Sequence, residues 1–99
     1  MKIIVKKVGL EPEVREVPNE LHVLQEIVGG YIECIPFVDD TLCICNETGK
    51  LDGLLPNFIY NNDVIVGDVF FCSSDRCDFN SLTDEQIMTI TNLLHIFEI

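Results

Sequence analysis

The sequence has no tryptophan, only two histidines, and only six lysines and arginines among 99 residues. Each scarcity excludes something. Six cations against seventeen carboxylates leave a net charge of −11. A surface of that sign repels a phosphate backbone, so direct nucleic-acid binding is not expected. Long apolar runs are missing as well. The longest, around Val64 to Phe71, is interrupted by Gly67 and Asp68, whereas a membrane-spanning helix needs about 20 apolar residues. At the N-terminus Lys2 precedes a short apolar run that Lys6 and Lys7 break, and no small-residue cleavage site follows, so a signal peptide is not expected. These readings point to a cytoplasmic protein without a membrane partner. Five cysteines, an odd number, are expected in that compartment to be reduced thiols.

What is present is enough for one domain. At 47% hydrophobic and 23% charged residues, the chain can bury a core without disulfides or metal, and disorder is not indicated. The charge is unevenly spread. Lys2, Lys6, Lys7 and Arg15 lie in the first fifteen residues, opposed there only by Glu11 and Glu13. From Glu16 onward fifteen carboxylates face Lys50 and Arg76 alone. Such an acidic body attracts a basic partner, although acidity also serves plain solubility.

Local patterning gives an outline. Lys2 to Val8 reads as a strand and Val14 to Val17 as its hairpin partner, stopped by Pro18. Asn19 is placed as the N-cap of a helix over about 20–28, with Leu21, Leu24, Ile27 and Val28 on one stripe and Gly29-Gly30 ending it. Tyr31 to Phe37 reads as a third strand closed by Asp39-Asp40, and Leu42 to Cys45 as a fourth. Turn residues from Asn46 to Pro56 predict an extended loop or a hairpin end, and the whole Asn46–Asn62 segment is taken as a long loop. Val64 to Cys72 predicts one strand near the sheet centre, with a bulge or close approach at Gly67, and Ser73 to Asn80 a polar loop. Thr83 and Gln86 form a capping box, flanked by Leu82 and Ile87 as a hydrophobic staple, for a helix over about 83–97. Its buried stripe is Ile87, Ile90, Leu93, Leu94 and Phe97. The expected class is α+β: a mostly antiparallel sheet of about five strands with both helices on one face.

Candidate chemistry is sparse. His22 and His95 fall off the apolar stripes of their helices and have no nucleophile beside them, so neither is expected to be catalytic. Cys43 and Cys45 share one face of a strand, about 6.7 Å apart, too closely spaced for a paired zinc motif. With Cys34, Cys72 and Cys77 they are expected to pack as small hydrophobes. Gly29-Gly30 lacks the Lys-Ser/Thr of a phosphate loop. The pairs Asp39-Asp40, Asp84-Glu85 and Asp75 with Asp78 are of a kind that acidic chains contain by chance. No cofactor, metal or catalytic residue is predicted. The Asn46–Asn62 segment is the best binding surface, with Asn46, Glu47, Lys50, Asn57, Tyr60 and Asn62 as its candidate residues. On the last helix Met88, Ile96 and Ile99 lie away from the core stripe and make a candidate interface, including one for a homodimer.

The strings LQEIVGGYIECIP (Leu24 to Pro36), NETGKLDGLLPN (Asn46 to Asn57), DVIVGDVFFC (Asp63 to Cys72) and SLTDEQI (Ser81 to Ile87) follow one another along the chain. Over roughly residues 1 to 90 the chain resembles a family of short proteins encoded by bacteriophages and mobile elements, catalogued only as a domain of unknown function. It departs from that pattern in its extra cysteines and in Phe58 to Asp63. The resemblance implies a phage or plasmid setting, a host-cell interior and no known enzyme activity. The leading expectation is therefore a non-catalytic accessory protein that binds a basic host protein and inhibits a host defence system. The alternatives are a binder that sequesters a nucleotide signal and a structural zinc or thiol-based protein. Scarce cations weigh against the nucleotide reading.

Overall fold

The central strand carries apolar side chains in an unbroken row, Val69, Phe70, Phe71 and Cys72, and all four are buried. Successive strand residues point to opposite faces, so a row like this needs cover on both sides. The computed structural model, which describes residues 1–76 and 78–97, shows how that cover is provided. Ten elements follow one another: β1 (Lys2–Lys6), β2 (Glu13–Glu16), α1 (Leu21–Val28), β3 (Ile32–Pro36), β4 (Thr41–Asn46), β5 (Pro56–Tyr60), β6 (Asp63–Val66), β7 (Val69–Asp75), β8 (Asp78–Asn80) and α2 (Asp84–Phe97). Six strands form one antiparallel sheet in the order β2-β1-β7-β4-β3, with β8 also pairing β7, and β5 and β6 form a separate hairpin. The α+β class and the antiparallel sheet are as the sequence predicts.

The two helices, however, lie on opposite faces rather than on one. Ile3, Val5, Ile44, Phe70 and Cys72 pack with Leu24 and Val28 of α1. Their neighbours Ile4, Cys43, Cys45, Val69 and Phe71 pack with Ile90 and Leu94 of α2 and with Phe58 and Ile65 of the hairpin. The reason is the period of two: apolar residues at four successive positions of β7, Val69 to Cys72, leave neither face able to meet water. Each phenylalanine buried there stabilises the fold by about 1.5–3 kcal/mol.

Four other expectations change. The Asn46–Asn62 loop contains β5 and leads through a two-residue turn into β6. Asn61 and Asn62 hold φ of 50° and 60°, the left-handed region that asparagine tolerates and that a tight hairpin turn requires at both central positions. Val64 to Cys72 is two strands in different sheets, broken at Gly67 with φ 76°. A Cβ there would lie 2.7 Å from Leu54 Cδ1. Ser73 to Asn80 is largely a β7–β8 hairpin. At the start of α1, Glu20 occupies the cap without a side-chain bond, while Asn19 Nδ2 donates to Phe79 O at 3.2 Å. That asparagine ties helix to sheet instead of capping.

At α2 the capping box forms: Gln86 N donates to Thr83 Oγ1 at 3.1 Å and Thr83 N to Gln86 Oε1 at 2.9 Å. The β5–β6 hairpin is anchored by a buried polar lock. Asn57 Nδ2 donates to Lys6 O and to Gly67 O, both at 2.8 Å, and Lys6 Nζ donates to Asn57 Oδ1 at 3.0 Å and to Lys7 O at 2.9 Å. Lys6 is 1% exposed and Asn57 4%. Removing a partner from buried polar groups leaves each short of a bond, at about 1–3 kcal/mol apiece. Asn57→Ala is therefore expected to destabilise the protein by about 3 kcal/mol or more in urea unfolding. Thr83→Ala, at the exposed cap, is expected to cost only about 1 kcal/mol. Equal losses would contradict the assignment of Asn57 as the lock.

Candidate functional site

One pocket of about 200 Å³ opens on the face that carries α2 and the hairpin. Its walls come from four places. Glu33 and Ile35 project from β3, Cys45 from β4, Glu47, Lys50 and Leu51 from the turn after β4, and Asp63 to Val66 from β6. Register explains the grouping: Glu33 pairs with Cys45 and Ile35 with Cys43, and directly paired residues share a face. The wall at Ile35 and Ile65 is apolar. Glu33, Glu47 and Asp63 bring carboxylates to the rim, and all three are exposed. Lys50 is the one cation among the lining residues and is ion-paired with Asp63.

Of the six binding residues predicted from sequence, Asn46, Glu47 and Lys50 meet at this pocket and the other three do not. Asn57 is the buried lock. Tyr60 packs its ring 4.5 Å from Phe37 and 5.6 Å from Phe97, and Asn62 makes the hairpin turn. Asn46 is itself mostly committed: Nδ2 donates to Val28 O at 3.2 Å, and Oδ1 accepts from Thr48 N at 2.9 Å. A Cβ on Gly30 would approach Asn46 Nδ2 to 2.8 Å, so the glycine leaves room for that link. Glu33, Asp63 and Ile65 were missed. The Asn61-Asn62 pair was the available signal, since two adjacent residues suited to positive φ mark a hairpin that would bring β6 back over the sheet.

The other candidates are scattered. Met88 and Ile96 are exposed on α2, and Ile99 lies outside the described residues, as does Cys77. His22 and His95 are exposed, and His22 Nε2 lies 3.5 Å from Glu20. Asp39 and Asp40, with φ of 50° and 57°, form the β3–β4 turn. Among the described residues no three His, Cys, Asp or Glu side chains are grouped to hold a metal ion, and no helix is long and apolar enough to cross a membrane.

The outer side of β3 completes the site. Phe37 N donates to Thr41 O and Glu47 N to Tyr31 O, which fixes the alternation along the ladder. Tyr31, Glu33, Ile35 and Phe37 turn their backbone groups toward β4. Ile32, Cys34 and Pro36 turn theirs outward, at the edge of the sheet. Pro36 has no N–H to lose on that side, which is why a proline is tolerated in this strand.

The family model described as Domain of unknown function (DUF3846) matches residues 1–95. The chain belongs to that family. No curated protein and no solved structure matches it.

In this DUF3846 chain the buried cysteines are poor nucleophiles. Burial pushes the Cys45 thiol up to about 11, with Glu33 adding to it, and the Cys72 thiol up to about 12. Burial also raises Cys43 well above its ordinary value, with Cys45 and Cys72 adding to it. Cys34 is exposed, and partial burial followed by Glu33 raises its thiol less. Of the four, Cys34 is expected to alkylate first in native protein, as mapped by mass spectrometry. A thiol whose folded value exceeds its unfolded 9.0 contributes stability in full below pH 9, and loses it as pH climbs through the folded value. The urea midpoint is therefore expected to fall between pH 9 and 11. A flat profile would contradict the burial of these thiols.

Proposed function

We propose that this protein works by contact and performs no bond-making: it binds a basic protein partner through its acidic surface. The setting we infer is a phage or mobile element acting inside a host cell, with a host defence protein as the target. The setting is inferred from the resemblance, carried by the four strings, to phage and mobile-element proteins. The mode of action rests on the imbalance of exposed charge. Every described carboxylate except Asp68 is exposed. Among the cations, Lys6 is buried, Arg15 Nε is held by Glu13 at 2.9 Å, and Lys50 is held by Asp63. A surface so one-sided steers and retains cationic partners. The outward-facing histidines and the high thiol pKa values support the same reading, because neither supplies an activated nucleophile or base.

A nucleotide-sequestering role finds less support. Phosphate recognition calls on free Arg or Lys, and among the described residues lining the pocket the one cation is Lys50, already bound to Asp63. Tagged protein incubated with host lysate is expected to recover a basic protein at low salt and to release it between about 0.1 and 0.5 M salt, as screening of exposed charge requires. Nucleotides are expected to leave the melting temperature unchanged. Recovery of no partner, together with a nucleotide-dependent rise in melting temperature, would replace this reading with the sequestering one.

A further inference from the structure

The acidic surface is not uniform in shape. The sheet has two ends. At one, β2 is four residues long and reads Glu-Val-Arg-Glu, a short charged strand of the kind that discourages pairing. At the other, β3 is five residues long, and Glu33, Cys34 and Pro36 are exposed. The N–H groups of Ile32 and Cys34, and the carbonyls of Ile32, Cys34 and Pro36, point outward from it. A strand added there gains backbone hydrogen bonds, and its alternate side chains fall on the face that Glu33 and Ile35 share with the pocket.

The pocket narrows the choice of side chain. An apolar wall of Ile35 and Ile65 beneath a rim of Glu33, Glu47 and Asp63 suits an amphipathic cation, with its methylene stem against the wall and its head among the carboxylates. Lys50 occupies part of the Asp63 carboxylate and leaves Glu33 and Glu47 uncompensated. The same charge argues against a second copy of this chain: two molecules of net charge −11 would bring Glu33 and Glu47 of each toward the other. It also argues against nucleic acid.

We infer that the β3 edge and the adjoining pocket form a docking site for an extended, Arg- or Lys-bearing segment of another protein, which adds as a seventh strand of the sheet and places one cationic side chain in the pocket. This inference rests on the contact role proposed above and specifies its place and mode.

The test uses ¹⁵N-labelled protein and an eight-residue peptide of alternating arginine and valine. Two controls accompany it: the same peptide N-methylated at alternate residues, and a glutamate–valine counterpart. With the arginine peptide, hydrogen exchange at the Ile32 and Cys34 amides is expected to slow by about tenfold or more. Neither control is expected to protect them. The exposed positions of Glu33 and Glu47 allow the Glu33→Lys/Glu47→Lys variant to fold, as circular dichroism will show, and its affinity for the peptide is expected to fall by about tenfold or more. Absent protection at Ile32 and Cys34, equal protection by the N-methylated peptide, or protection confined to other strands would each overturn the inference. Capture of a basic host protein that survives the double variant would overturn it too, while leaving the contact role intact. Loss of lysate capture together with absent peptide protection would remove both.

Discussion

The structure depends on a strand that cannot face water on either side. β7 presents Val69 and Phe71 to one face and Phe70 and Cys72 to the other, all fully buried. A single layer of helices, as in a two-layer α+β arrangement, would leave half of that surface wet, at roughly 25 cal/mol for each Å² exposed. The chain answers with three layers. α1 covers one face, and the other is shared between α2 and the β5–β6 hairpin, which is too small to hold together alone. The hairpin contributes Phe58 and Ile65 to the core and obtains its own stability from the sheet it covers.

Sharing one face between two elements leaves a gap, and the pocket is that gap. The hairpin reaches toward β3 without covering its edge, so Glu33 on β3 and Asp63 on β6 become opposite walls of one opening. The apolar wall is the outlying part of the core that the hairpin does not close. Acidic side chains at the rim would set like charge against like if two copies met at this edge, and charge is a common protection for an exposed edge strand. A cationic partner meets no such barrier. The like charge that disfavours self-pairing at this edge is the feature that would select a cationic partner in the proposed mode.

Lys6 shows the same economy of charge inside the molecule. The residue on β1 faces the hairpin side, where its ammonium is received by Asn57 Oδ1 and Lys7 O rather than by a carboxylate. Asn57 in turn accepts from the lysine and donates to two carbonyls, so the hairpin is joined to the sheet by polar groups that satisfy one another. A cation that composition counts toward the surface is withdrawn from it, and the exposed body is more anionic than the formal charge implies.

Local chemistry was decisive where a residue acts on its immediate neighbours and no distant partner competes, as the Phe79 carbonyl does for Asn19. The Thr83–Gln86 capping box, the stripe of α2, the end of α1 at Gly29 and the alternation that puts Cys43 and Cys45 on one face could all be written from sequence, because each depends on spacings of two to four residues. The acidic excess was legible for the same reason: charge is a property of composition. Tertiary structure alone decided which face each helix covers, that Asn57 is buried and Tyr60 packs against the core, and that Glu33 and Asp63 share a pocket. Those outcomes depend on residues far apart in the chain, such as Lys6 with Asn57 and Tyr60 with Phe97. A row of apolar residues in one strand states that two covers are needed, but it does not state which segments will supply them. That choice is made by the packing of the whole chain, and the candidate site is its by-product.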